Sequence, residues 1–218
     1  MLTMLIDHIG LIWFPSESSW RIIGRLAFPL YAYALVLGFS RTRSIHRYLR
    51  RTAIIALLSQ LPYQWAFQRL EVNTVGTLFM CLLLLHLLDK WKSRPVITLS
   101  LAAAFCIFLE WLPFSYGAYA VILVLIYRYA EPRLMALLHF VLNIADFLAK
   151  GAFIQGFSLI ATLMLANMPE FMRYADRIRI PRTVWRSFYP LHLVLLAAVA
   201  FLMNPADMSH MMDFILVR

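Results

Sequence analysis

The sequence predicts an all-α fold, a polytopic transmembrane helical bundle of about nine spans with a cytoplasmic N-terminus. Residues 1–218 form a single domain in this reading. Three observations predict it. The first is composition. Hydrophobic residues make up 62% and charged residues 14%, against roughly 45–50% and about 25% in soluble domains. Mean hydropathy is +0.74. One core in a chain of 218 residues cannot hide that much apolar surface, because much of a small protein lies near its boundary. A soluble enzyme, a nucleic-acid-binding domain and a disordered chain are excluded. The second observation is a series of continuous apolar stretches of span length; a transmembrane β-barrel would instead alternate in segments of about ten residues. The third is the placement of the basic residues.

Taken in order, the apolar stretches cover 1–14, 20–40, 49–67, 73–89, 96–113, 115–130, 133–149, 152–168 and 185–203. Pro113, Pro132, Pro169, Pro181 and Gly151 mark breaks between them. The first stretch is short. Fourteen residues precede Pro15, which is about 21 Å of helix against a hydrocarbon core of about 30 Å. It lacks the basic n-region and small-residue cleavage site of a signal peptide. A thinned bilayer, a helix that enters protein rather than lipid, or a start further upstream would each account for it. Cys81 and Cys106 fall inside apolar stretches and supply neither a disulfide framework nor a metal motif.

The net charge of +9 has a topological pattern. Arg41, Arg43, Arg47, Arg50 and Arg51 share one loop; Lys90, Lys92 and Arg94 share the next but one. Arg128 and Arg133 flank another, and Arg173, Arg177, Arg179, Arg182 and Arg186 fill the last. Fifteen of the 20 basic residues thus fall on one side, which the positive-inside rule makes cytoplasmic. Topology explains these clusters. A cytoplasmic arginine face also suits an anionic ligand with several phosphates, and Arg173, Arg177, Arg179 and Arg182, in the longest such loop, are the better-placed candidates. The six tryptophans lie near span ends, as an aromatic belt does.

An ionisable residue inside a span costs several kcal/mol unless paired or hydrated, so it is a functional candidate by default. Asp7 and His8 lie in the first span and Arg25 in the second, soon after the connecting turn. His8 and Arg25 are thereby expected about 8–10 Å below the outer surface, where Asp7 or His8 can meet Arg25. A buried ion pair locking two helices is the bland reading; a titratable histidine beside it adds a proton-transfer group. His86, His139 and His192 are expected toward the cytoplasmic ends of their spans, at a level where they would line an inward-facing vestibule. Gln60, Asn73 and Asn143 also fall within or at the ends of spans, with interhelical hydrogen bonding as the simplest role.

Several stretches resemble one family in chain order. Met4-Leu5-Ile6-Asp7-His8-Ile9-Gly10 and Gly24-Arg25-Leu26-Ala27-Phe28-Pro29-Leu30-Tyr31-Ala32 are similar to the opening and second-helix motifs of the TraX family. So are the basic segment from Thr42 to Arg51, Ser59-Gln60-Leu61-Pro62, Asn73, Tyr116-Gly117 and the closing Tyr189-Pro190-Leu191-His192-Leu193. The resemblance implies a multi-pass acyltransferase of the bacterial cytoplasmic (inner) membrane, surrounded by lipid, with acetyl-CoA as donor and a pilin N-terminus or another envelope molecule as acceptor. Family members usually carry more residues before the Asp-His pair than this chain does. His8 is then the candidate base for acetyl transfer, and Arg25 stabilises an oxyanion or a donor phosphate. Neighbouring residues point about 100° apart around a helix, so Asp7 holds Arg25 or orients a histidine on another helix. Tyr189 and His192 complete the site or, with Gln60, Asn73 and His139, line the donor's path. Direct transfer and an acyl-histidine relay are both compatible with these residues. Two other classes share the intramembrane charges: a proton-coupled secondary transporter, which would commonly carry inverted repeats not evident here, and a non-catalytic scaffold for pilus or secretion assembly.

Overall fold

The computed structural model describes residues 1–167 and 181–203. Among them are ten α-helices and one 3-10 helix. They are α1 (Leu2–Trp13), α2 (Ser18–Gly24), α3 (Ala27–Arg41), α4 (Ile45–Phe67), α5 (Thr74–Lys90) and α6 (Pro95–Trp111). Then come α7 (Gly117–Tyr129), α8 (Pro132–Lys150), the 3-10 helix Phe153–Ser158, α9 (Leu159–Asn167) and α10 (Arg182–Met203). The fold is all-α, as the sequence predicts.

Local chemistry sets the boundaries. Prolines open α6 and α8, where the missing N–H costs nothing because the first helical donors have no partner anyway. Gly151 ends α8 in the left-handed conformation, φ 69°. The Asn73 side chain caps α5 by accepting from the Gly76 N–H at 3.0 Å. The second apolar stretch divides at Arg25–Leu26, a break absent from the sequence reading. Pro29 explains it: proline has no N–H to bond the carbonyl four residues back, which is that of Arg25.

The helices run up and down. At the basic end, Arg128 Nη1 donates to Ser40 Oγ at 3.2 Å, and the His46 and His86 rings meet edge to face. At the opposite end, the loop after α4 meets the loop after α6, with Val72 N–H donating to the Pro113 carbonyl at 2.7 Å. There, too, Lys150 at the end of α8 pairs with Glu110 at the end of α6. Alternate loops therefore gather at opposite ends, as the charge pattern requires.

α5 and α7 fill the centre, with Leu82, Leu84, Leu85, Val121, Leu123 and Val124 fully buried. α6 and α8 present apolar side chains outward, including Val96 and Leu148, a surface suited to lipid rather than water. Among the described residues, three segments are long and apolar enough to cross a membrane: Ser18–Arg41, Pro132–Lys150 and Thr183–Met203. α1 is not among them. It packs against α2, α3, α4 and α10.

Candidate active site

α1 and α2 close on each other at two glycines. A Cβ on Gly10 would strike Trp20, and one on Gly24 would strike the Asp7 carboxylate. That approach brings Asp7 to Arg25 at the α2–α3 break. Arg25 Nη2 donates to Asp7 Oδ1 at 3.2 Å and to Oδ2 at 3.4 Å, while Nη1 donates to Gln155 Oε1 at 3.2 Å. Arg21 adds a second cation, its Nε 3.7 Å from Asp7 Oδ1. The guanidinium of Arg25 also faces the Tyr116 ring, 5.9 Å from its centroid. Tyr116 itself stacks on Phe28 and holds a left-handed φ of 68°, an uncommon conformation for a tyrosine. So Asp7 holds Arg25, the first of the two roles expected for it.

His8 goes elsewhere. Its Nδ1 lies 2.9 Å from Nε2 of His192 on α10, and His192 Nδ1 lies 2.6 Å from the Phe188 carbonyl. The carbonyl can only accept, so His192 carries its proton on Nδ1. In the neutral ring Nε2 is then an acceptor, and His8 must donate from Nδ1. This leaves His8 Nε2 as the basic nitrogen. Phe67 packs edge to face on the His8 ring and Phe188 stacks on His192. The depths expected from sequence put His8 and His192 toward opposite faces; the structure corrects this. α10 begins at Arg182, not 185, so His192 sits about 15 Å along its helix, deep enough to meet the short α1.

His8, Asp7, Arg25, Tyr116 and Gln155 line a cavity of about 210 Å³ that also takes in Arg21, Arg69 and Glu71 from the less basic end. Two buried donors there, Arg25 Nε and Gln155 Nε2, lack hydrogen-bond partners among the described residues. A second cavity, about 520 Å³, is lined by Arg41, Arg51, Arg186 and Tyr189. The two cavities share Met4, Tyr31 and Thr74 as lining residues.

The family model for the TraX protein matches residues 1–200. The chain belongs to the TraX family. A probable fimbrial assembly protein, FimC of serogroup H1 from Dichelobacter nodosus, is 28% identical over 239 aligned positions that cover 91% of each chain. No solved structure matches. In this TraX-family chain, the stretches that carried the resemblance supply Asp7, His8, Arg25, Tyr116 and His192, and they come together although 184 positions separate His8 from His192.

The remaining sequence candidates divide. Tyr189 lines the larger cavity. Gln60 and Asn73 line neither cavity. Asn73 Nδ2 donates to Gln60 Oε1 at 2.8 Å and to the Ala56 carbonyl at 2.7 Å, so the pair pins α5 to α4. His139 is also away from both cavities, fully buried and bonded through Nδ1 to Thr162 Oγ1 at 2.6 Å and through Nε2 to Tyr119 Oη at 2.7 Å. The three histidines expected to share a vestibule thus go to three places: His192 to His8, His139 to Tyr119, and His86 to His46. Arg173, Arg177 and Arg179 lie outside the described residues, and nothing is placed for the Arg182 side chain.

Sequence reasoning missed Gln155, Arg21 and the role of Tyr116. Gln155 sits in a 3-10 turn just after Gly151, where an uncharged amide carries no signal of its own. Arg21 lies just after the turn between the first two apolar stretches, where a charge is ordinary. Tyr116 was visible only as half of a Tyr-Gly element.

Proposed function

We propose that the chain is a multi-pass acyltransferase of the bacterial inner membrane that transfers acetyl from acetyl-CoA to a pilin N-terminus or another envelope acceptor. The observation that carries this reading is the His8–His192–Phe188 relay. It fixes one tautomer and leaves a basic Nε2 on His8, which lines one cavity with Arg25 and Gln155, each carrying a buried donor without a partner among the described residues.

The chemistry follows from those atoms. The acceptor's amine or hydroxyl loses its proton to His8 Nε2 and attacks the thioester carbonyl carbon. The resulting oxyanion is stabilised by Arg25 Nε–H and Gln155 Nε2–H. The intermediate collapses by breaking the C–S bond, and the leaving thiolate takes the proton from His8 Nε2, which restores the neutral base. His192 accepts from His8 Nδ1–H throughout, as an orienting partner does in hydrolytic triads. Asp7 neutralises Arg25 and fixes its position. The family and the fimbrial assembly relative favour pilin over other acceptors.

Mass spectrometry of co-expressed pilin and of total envelope, with and without the protein, tests the reading. An added acetyl group that depends on the protein, and disappears with His8→Ala at equal insertion, is expected. Full transfer by a correctly inserted His8→Ala protein would overturn the catalytic assignment. No acetylated species, with pilus assembly still dependent on the chain, would leave it a scaffold.

A further inference from the structure

The 520 Å³ cavity opens at the basic end, away from the Asp7–Arg25 pair. Its size falls within the roughly 300–1,000 Å³ typical of small-molecule sites. Three arginines line it from different elements: Arg41 closes α3, Arg51 is in the second turn of α4, and Arg186 is in the second turn of α10. Among the described residues that line it there is no carboxylate. Three guanidinium groups at one cavity repel each other unless an anion sits between them, and phosphate oxygens match their donor geometry. Two threonine hydroxyls on its wall are already engaged, Thr52 with the Tyr48 carbonyl and Thr42 with the Ser44 carbonyl. Further in, the wall is uncharged, with Ala34, Leu35, Ile55, Val75 and Leu78. Met4, Tyr31 and Thr74 line both this cavity and the His8 cavity. Met4 is one helical turn from His8.

We propose that this cavity is the seat of an elongated phosphorylated ligand, with its phosphates on Arg41, Arg51 and Arg186 and its uncharged arm running to Met4, Tyr31 and Thr74. Resting on the acyltransferase reading, that ligand is the thioester donor, whose phosphate end is then held here by arginines of α3, α4 and α10. A phospholipid headgroup carries the same anionic chemistry, and the experiment separates the two.

The protein in detergent is titrated with CoA, with adenosine 3′,5′-bisphosphate as the phosphate end alone, and with a short-chain phosphatidylglycerol. CoA and the bisphosphate bind the wild type. Each of Arg51→Ala and Arg186→Ala weakens both by about tenfold, and the lysine replacements, which keep the charge but not the fork of donors, recover part of the affinity. Thermal melting checks that each variant is folded. CoA affinity within twofold of wild type in the folded Arg51→Ala/Arg186→Ala variant overturns the seat but leaves the acyltransferase reading standing. Binding of phosphatidylglycerol but not CoA overturns the proposal in favour of a lipid site. Arginine-dependent CoA binding without any acetyl transfer supports the seat and removes the acyltransferase reading.

Discussion

Replacing His192 tests the site most directly, because His192 itself touches no reacting atom in the proposed chemistry. His192→Ala removes the acceptor for His8 Nδ1–H, now 2.9 Å away. His8 is 7% exposed, so water does not readily take over, and an unsatisfied buried donor costs about 1–3 kcal/mol. The imidazole escapes that cost by turning or by moving its proton to Nε2, and either change removes the base. General-base catalysis contributes roughly 10²–10⁴-fold, so kcat falls by that order while KM for acetyl-CoA stays within about threefold. His8→Ala loses the same order. The double variant loses no more than either single one, because the two rings act as a unit. His192→Gln, whose amide oxygen can accept from His8 Nδ1–H, recovers about tenfold over His192→Ala. The assay is acetyl transfer to a pilin N-terminal peptide by protein in detergent, followed by mass. A His192→Ala protein with half the wild-type kcat, or losses that multiply in the double variant, refutes the relay.

Three further predictions separate structural from chemical roles. Asp7→Ala strands the Arg25 guanidinium, whose side chain is only 14% exposed; it lowers stability by about 3–5 kcal/mol, and Asp7→Ala/Arg25→Leu regains most of the melting temperature. Equal melting of the single and double variants would contradict a buried pair. Asn73→Ala loses the α5 cap and the bonds to α4, lowering stability by about 1–3 kcal/mol with turnover within twofold; a large loss of turnover at unchanged melting would return Asn73 to the substrate path. Gly24→Val drives a side chain into Asp7, which lowers stability by about 1–3 kcal/mol and reduces transfer; wild-type melting and turnover would show that the α1–α2 approach is not tight.

The fold was largely legible because membrane helices announce themselves by length and apolarity. The nine stretches reappear in order as α1, the pair α2–α3, α4 to α8, the 3-10 helix with α9, and α10. What did not show was where a stretch breaks inside. The division at Arg25–Leu26 depends on Pro29, four residues on and embedded in an apolar stretch that reads as one span. The Asp7–Arg25 pair was legible because a tight turn makes neighbours of two helices and leaves few partners for a charge. The His8–His192 contact was not, because depth counted from each helix end inherits the error in that end. A three-residue shift in the start of α10 is about 4.5 Å, a substantial part of the distance that separates a surface histidine from one at mid-depth. His139 failed for another reason. Tyr119, Asn143 and Ser158 surround it with hydrogen-bonding groups, and hydroxyls and amides in apolar helices read the same whether they line a cavity or fill a core.

The contacts of α1 give it a role in the site. It is held by protein: Gly10 against Trp20, Asp7 against Gly24 and Arg25, His8 against His192 and Phe67. Met4 lies where the two cavities meet, and His8 follows one turn later beside the less basic opening. α1 thus acts as the partition between a cavity reached from the basic end and one reached from the other. The histidine on that partition is the group that both a donor and an acceptor, arriving from opposite ends, would have in common.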